Sequence, residues 1–245
     1  MNISDAAFRL DARTALREDE VHLWRVDLAA VAPGEQRWEK ILSDDERARA
    51  ARFHFSKDRQ YFTATRAILR TILGSYLDSD PTELVFRYSE KEKPCLSPSQ
   101  SGSELEFNVS HSGERALLAF SRRRAVGVDV EQLRENFDHE AVARRFFSEQ
   151  EQQQLAELAP SERYHAFFRC WTRKEAYIKA QGTGLSLPLR QFDVSLKPEE
   201  PNALLATRPD NLEATRWSLQ DVPSGDGYFS AICVRGHGWR LKSQE

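Results

Sequence analysis

Two short runs carry side chains that could do chemistry together: Gly127-Val128-Asp129-Val130-Glu131 and, further along, Trp171-Thr172-Arg173-Lys174-Glu175-Ala176-Tyr177-Ile178-Lys179. Alternating valines make the first a strand, in which side chains two apart share a face. Val126, Val128 and Val130 then point to a core, and Gly127, Asp129 and Glu131 to the other side. The two acids sit about 7 Å apart along that face, close enough for one cation to touch both. Gly127 has no side chain and would leave the face open to a ligand approaching the backbone. An ordinary exposed strand face produces the same pattern, so the strand alone does not choose between the readings.

The second run reads as a helix. Glu175 lies four residues after Trp171 and three before Ile178, on the same stripe as those apolar side chains. A carboxylate there loses hydration and needs compensation. One source is Lys179, four residues on, an ordinary helix pair worth about 0.3 kcal/mol. The other is a metal ion. Two carboxylates on a strand and a third on a helix stripe suit Mg2+, which takes oxygen ligands and commonly binds substrate phosphates at the same time. Trp171 reads as core packing, and Lys174 as a residue on the solvent side of the helix.

The elements that must position these residues follow from pattern. Residues 21–28 alternate apolar and polar and read as a strand. Ser43-Asp44-Asp45-Glu46 and Ser148-Glu149-Gln150-Glu151 are capping boxes that open helices running to Arg52 and about Leu158. The cap explains Glu151 without a catalytic role. Long helices are expected over 58–77 and 162–181, the second ended by Gly182 and Gly184, with a shorter helix over 138–146. Strands are expected over 84–88, 107–110, 116–120, 126–131, 192–196, 216–219 and 228–234. Residues 89–102, with Pro94, Pro98 and several serines, read as a loop. Each half repeats a capping box, a long basic and aromatic helix, and a strand. The expected fold is α+β, two similar half-domains in a pseudo-two-fold arrangement, residues 1–124 and 125–245, with a cleft between them.

Composition excludes several classes. The 245 residues are 40% hydrophobic and 30% charged, which suits a folded soluble protein and not a disordered one. With 35 basic and 38 acidic residues the net charge is -3, so no global field favours nucleic acid. Cys95, Cys170 and Cys233 are too scattered for a zinc pair or a disulfide framework, and they suit a reducing compartment. No run approaches the roughly 18 apolar residues of a membrane span. The first residues carry Asp5 and no apolar core, unlike a secretion signal. A cytoplasmic protein without a membrane or nucleic-acid partner is expected, and an internal cleft suits a monomer.

With these residues in this order, the chain resembles the 4'-phosphopantetheinyl transferases of the long, surfactin-synthetase-activating (Sfp) type. The likeness rests on the two runs and on Phe107-Asn108-Val109-Ser110-His111-Ser112 before them. It also includes Arg145-Phe146-Phe147-Ser148 between them and Gly182-Thr183-Gly184-Leu185-Ser186-Leu187-Pro188-Leu189 after them. It spans about residues 43–196. The resemblance implies an enzyme that moves the phosphopantetheine arm of coenzyme A to a serine of an acyl or peptidyl carrier protein, as in fatty-acid, polyketide or nonribosomal peptide synthesis, releasing 3',5'-ADP. It implies Asp129, Glu131 and Glu175 as Mg2+ ligands and Lys179 as a catalytic residue on the coenzyme A phosphates; Glu175 is the other catalytic candidate, with the acceptor of the serine proton left open between it and a water polarised by the metal. It also implies Ser110 and His111 near the 3'-phosphate, and Arg49 and Lys93 as further phosphate-binding cations. Glu92 stands where the family's Gly-Lys-Pro has glycine.

Without the resemblance, His111 is a strand-end histidine, able to pair with a phosphate when protonated or simply solvated in a turn. Ser110 and Ser112 are turn-formers, and Arg66 is an exposed helix arginine. Arg122-Arg123-Arg124, Arg144 and Arg145 are either solvated local charges or docking points for an acidic helical carrier. The same three acids would also serve a metal-dependent phosphoesterase that hydrolyses a nucleotide pyrophosphate. A degenerate module that only binds coenzyme A or a carrier is the non-enzymatic alternative.

Overall fold

The computed structural model describes residues 15–31, 35–88, 94–97, 100, 104–134, 137–182, 187–198 and 200–244. Strand β1 (Glu20–Asp27) leads into short helices α1 (Leu28–Val31) and α2 (Glu35–Glu39), then α3 (Asp44–Ala50) and the long α4 (Ser56–Leu77). Strands β2 (Phe86–Tyr88), β3 (Pro94–Leu96), β4 (Leu105–Ser112), β5 (Arg115–Arg122) and β6 (Val126–Gln132) follow. Helices α5 (His139–Phe146), α6 (Glu149–Glu157) and α7 (Pro160–Gln181) come next. The chain ends with β7 (Phe192–Val194), β8 (Leu204–Thr207), β9 (Trp217–Asp221), β10 (Tyr228–Arg235) and β11 (Arg240–Gln244). The class is mixed α+β.

Four layers carry the site. One sheet has the order β11-β1-β5-β4, the other β6-β10-β9. Helix α4 covers the outer face of the first, packing Ala64, Ile68 and Ile72 in one core with Trp24, Leu118 and Phe120. Helix α7 covers the second, with Ala176, Tyr177 and Ala180 in a core with Leu219, Ala231 and Cys233. Between the sheets, Val21, Leu23 and Leu117 meet Val128, Val130 and Ile232 in a third core. The alternating valines of β6 therefore have a direct cause, since one face of the strand looks into this central layer, whereas β5 is apolar on both faces because Ala116, Leu118 and Phe120 pack in the α4 core and Leu117 and Ala119 in the central one. Among the described residues, no helix is long and apolar enough to cross a membrane.

The sheets are joined where β4 runs beside β6. Asn108, Ser110 and Ser112 share one face of β4 by the strand period. The Val128 N–H donates to Asn108 Oδ1 at 2.9 Å, the Val130 N–H to Ser110 Oγ at 3.4 Å, and the Gln132 N–H to Ser112 Oγ at 3.1 Å. Side chains thus satisfy the edge N–H groups of β6 that a backbone ladder would otherwise satisfy.

Both capping boxes form. The Ser43 N–H donates to Glu46 Oε2 at 3.1 Å and the Ser148 N–H to Glu151 Oε2 at 2.9 Å. Each box glutamate is buried and meets a base from the next long helix, Arg70 Nε at 2.6 Å from Glu46 Oε2 and Lys174 Nζ at 2.8 Å from Glu151 Oε1. The two capping boxes thus make matching contacts with the long helices that follow them. Two expectations fail here. Lys174 is not on the solvent side: it is fully buried, and its Nζ also donates to Leu189 O and Phe192 O at 2.8 Å each. Arg66 is not exposed: it is buried, with Nε 3.3 Å from Glu46 Oε1. In both cases a distant segment closes over the helix face.

Local pattern also missed some elements. β3 lies inside the stretch expected to be loop and pairs with β2. It is three residues long, too short to show an alternation. α1, α2, β8 and β11 were not foreseen. β11 pairs in parallel with β1, so the last strand of the chain completes the sheet of the first.

Candidate active site

Gly127 determines how the helix meets the strand. A Cβ there would overlap Ala176 O and Ala180 N, both backbone atoms of α7. The expected open face is therefore closed by the helix, not kept clear for a ligand. The missing side chain lets α7 press onto β6, and this sets Glu175 and Lys179 over Asp129 and Glu131.

Asp129 is only 3% exposed. Its Oδ1 accepts from Lys179 Nζ at 2.6 Å and from Ser110 Oγ at 2.9 Å. Lys179 Nζ also donates to Ser110 Oγ at 2.8 Å, so β4, β6 and α7 meet at one ammonium. Asp129 Oδ2 is buried with no hydrogen-bond partner among the described residues. Glu131 is half-buried; its Oε2 accepts from Ser112 Oγ at 2.9 Å and lies 3.5 Å from Arg134 Nη2. Glu175 is half-buried on α7. Trp171 packs against Phe146 and Phe167, as a core residue.

The charges strain against one another. Burial raises the pKa of Asp129, against the lowering effects of Lys179 and Ser110. Burial and then the Asp129 charge raise that of Glu131, with Ser112, Arg134 and Lys179 opposing. Glu175 is pushed up to about 7, by burial first, then by Asp129 and Glu131, while Lys179 opposes. Three carboxylates thus share a poorly hydrated volume with one lysine. Among the described residues, no three His, Cys, Asp or Glu side chains stand as a ready coordination shell. In donor type the set still fits a hard divalent ion: all the ligand atoms are oxygens, one buried Asp129 oxygen is unpartnered, and like charges oppose Glu175 ionisation.

His111 is solvent-exposed by area at the end of β4, yet protein atoms crowd around its ring. That crowding, then the Lys179 charge, lowers its pKa, with Asp58 opposing. The structure thus brings Ser110, Asp129, Glu131, Glu175 and Lys179 together, with His111 beside them. Arg49 lies elsewhere, on α3, with its guanidinium carbon 5.7 Å from the Phe62 ring centre. Arg66 stacks over the same ring at 5.6 Å and over Tyr88 at 5.7 Å, which makes a basic and aromatic cluster. Lys93 lies outside the described residues. Ser112 was read as a turn-former; it is the partner of Glu131. The signal that could have found it is the polar period of two along Asn108, Ser110 and Ser112.

Known proteins resemble this chain over most of its length. Residues 31–123 match the family described as 4'-phosphopantetheinyl transferase, N-terminal, and residues 125–233 match the 4'-phosphopantetheinyl transferase superfamily. The chain is 42% identical over 227 residues to 4'-phosphopantetheinyl transferase HetI of Nostoc sp., covering 93% of this chain and 92% of that protein. It is 35% identical to a putative 4'-phosphopantetheinyl transferase of Synechocystis sp., covering 80% of each. It is 30% identical to 4'-phosphopantetheinyl transferase Sfp of Bacillus subtilis, covering 81% of this chain and 84% of that one. The chain belongs to the 4'-phosphopantetheinyl transferase family.

Proposed function

We propose that this chain transfers the phosphopantetheine arm of coenzyme A to a serine of an acyl or peptidyl carrier protein, releasing 3',5'-ADP. The observation that carries the reading is the meeting of Asp129, Glu175 and Lys179, with Glu131 beside them, at one strand–helix contact. Family membership supports it. We assign Asp129, Glu131 and Glu175 to Mg2+. Lys179, Ser110, His111, Arg49 and Lys93 are assigned to coenzyme A, chiefly to its phosphates. A cytoplasmic monomer, built of pseudo-two-fold halves 1–124 and 125–245 about a cleft, belongs to the same proposal.

Bound there, the ion would supply positive charge to the pyrophosphate oxygens. Lys179 donates hydrogen bonds to the same oxygens, where charge builds in the transition state. The carrier serine oxygen bonds to the β-phosphorus, the bond from that phosphorus to the bridging oxygen breaks, and 3',5'-ADP leaves with that oxygen. The hydroxyl proton needs an acceptor within reach, and either Glu175 or a water polarised beside the bound ion would take it. Ser110 and Ser112 hold Asp129 and Glu131 in place through the hydrogen bonds described above.

The test is intact-protein mass spectrometry of a panel of apo carriers incubated with this chain, coenzyme A and Mg2+. A mass gain of one phosphopantetheine is expected, lost with EDTA and slowed at least about 100-fold by Glu175→Gln. Consumption of coenzyme A without any carrier mass gain would replace transfer with hydrolysis. Coenzyme A binding without turnover, indifferent to Mg2+, would leave only a binding module.

A further inference from the structure

The turn between β5 and β6 carries Arg122, Arg123 and Arg124. Folding adds two arginines from remote segments, Arg216 just before β9 and Arg235 at the end of β10. These five, with Glu18 and Gly236, line a cavity of about 510 Å³. A chain of net charge -3 therefore concentrates positive charge at one place.

Arg124 is held in position by backbone. Its Nε donates to Glu18 O at 3.2 Å, and its Nη1 to Arg235 O at 3.3 Å and His237 O at 3.5 Å. A side chain at residue 236 would press on that guanidinium, so Gly236 makes room for it. All three acceptors are carbonyls, and among the described residues no carboxylate pairs with Arg124. Nor does any described group pair with the Arg235 side chain, which is exposed. Arg123 is paired with Glu18 at 3.2 Å and with Glu104, and Arg216 with Glu213 at 2.7 Å. The lining thus holds five guanidinium groups and one carboxylate; Glu104, Glu213 and Asp210 pair with two of the five from outside it, and among the described residues Arg124 and Arg235 have no acid partner.

The place is remote from the carboxylates. β4 and β5 pair Leu105 with Arg122 at one end and Ser112 with Arg115 at the other. Arg124 precedes Asp129 by five positions, roughly 15 Å of extended chain. The lining has no apolar or aromatic side chain of the kind that anchors a protein interface. Guanidinium forks do match phosphate oxygens in pairs. We propose that this cavity is a second anion site, taking a small compound with several phosphate charges, separate from the carboxylate–lysine centre.

Tripolyphosphate titrated calorimetrically into the full chain at low salt tests this. Saturable binding is expected, with Kd raised at least about tenfold by Arg235→Glu and further by adding Arg216→Gln. Arg144→Glu, on α5 and outside the cavity, is the control and should leave Kd unchanged. Any binding at the carboxylate–lysine centre is common to all these proteins and cancels in the comparison. Arg235→Glu should leave the thermal melt and the rate of carrier modification unchanged, so a failure here is separate from a failure of the proposed transfer. Equal affinity in wild type and both variants would overturn the site. So would binding of an acidic peptide at these arginines with none of tripolyphosphate, which would make the cavity a protein-docking surface.

Discussion

At Glu175, burial and like charge act together on one carboxyl. Its pKa stands at about 7 instead of the ordinary 4.5, so the folded chain keeps a proton that the unfolded chain has already released. A group raised in this way makes the native state bind more protons than the unfolded one, so stability falls as pH rises through that window. The gap corresponds to about 3 kcal/mol. Burial also raises Asp129 and Glu131, so their contributions run in the same direction. Glu175→Gln keeps the size and removes the charge. In urea melts with EDTA, wild type should lose about 3 kcal/mol more than the variant between pH 4.5 and pH 7.5, leaving the variant the more stable at the upper end. Saturating Mg2+ should narrow the gap, because an ion held by the ionised carboxylates stabilises the folded chain that holds it. Parallel stability curves for the two proteins across this pH range would refute the reasoning, since they would mean Glu175 titrates alike in the folded and unfolded chain.

Gly127→Ala should destabilise by about 3 kcal/mol or more, because its Cβ would meet backbone atoms of α7 and not a side chain that can move aside; a change under 1 kcal/mol in a urea melt would show that the helix yields freely. Lys174→Met leaves Glu151 buried without its cation and should cost about 3–5 kcal/mol, read by the same melt. Retained stability there would mean that Glu151 simply takes up a proton at no penalty. Ser112→Ala removes the hydroxyl that holds Glu131 and should cost about 1 kcal/mol of stability. It should also lower kcat for carrier modification about tenfold, with KM for coenzyme A little changed; an unchanged kcat would make Ser112 a purely structural link between β4 and β6.

Short-range period was enough to place the three acids and the lysine that the fold brings together. A valine at every second position puts Asp129 and Glu131 on one face of β6, and spacings of three and four put Glu175 and Lys179 on one stripe of α7. Both are properties of backbone geometry, so they can be read from neighbours alone. The capping boxes at Ser43 and Ser148 were readable for the same reason, being contacts three residues apart. Partnership between distant segments was not readable. Gly127 looked open because nothing near it in sequence reveals that the backbone at Ala176 and Ala180 fills the space. Lys174 and Arg66 looked solvated because their burial comes from other elements of the fold. β11 joins β1, and Arg216 and Arg235 join Arg124, across most of the chain. The sequence by itself determined which side chains share a face of a strand or helix, since rise and twist per residue are nearly constant. Only the tertiary structure decided which faces meet and which charges are left without a partner, because that depends on the packing of surfaces far apart along the chain.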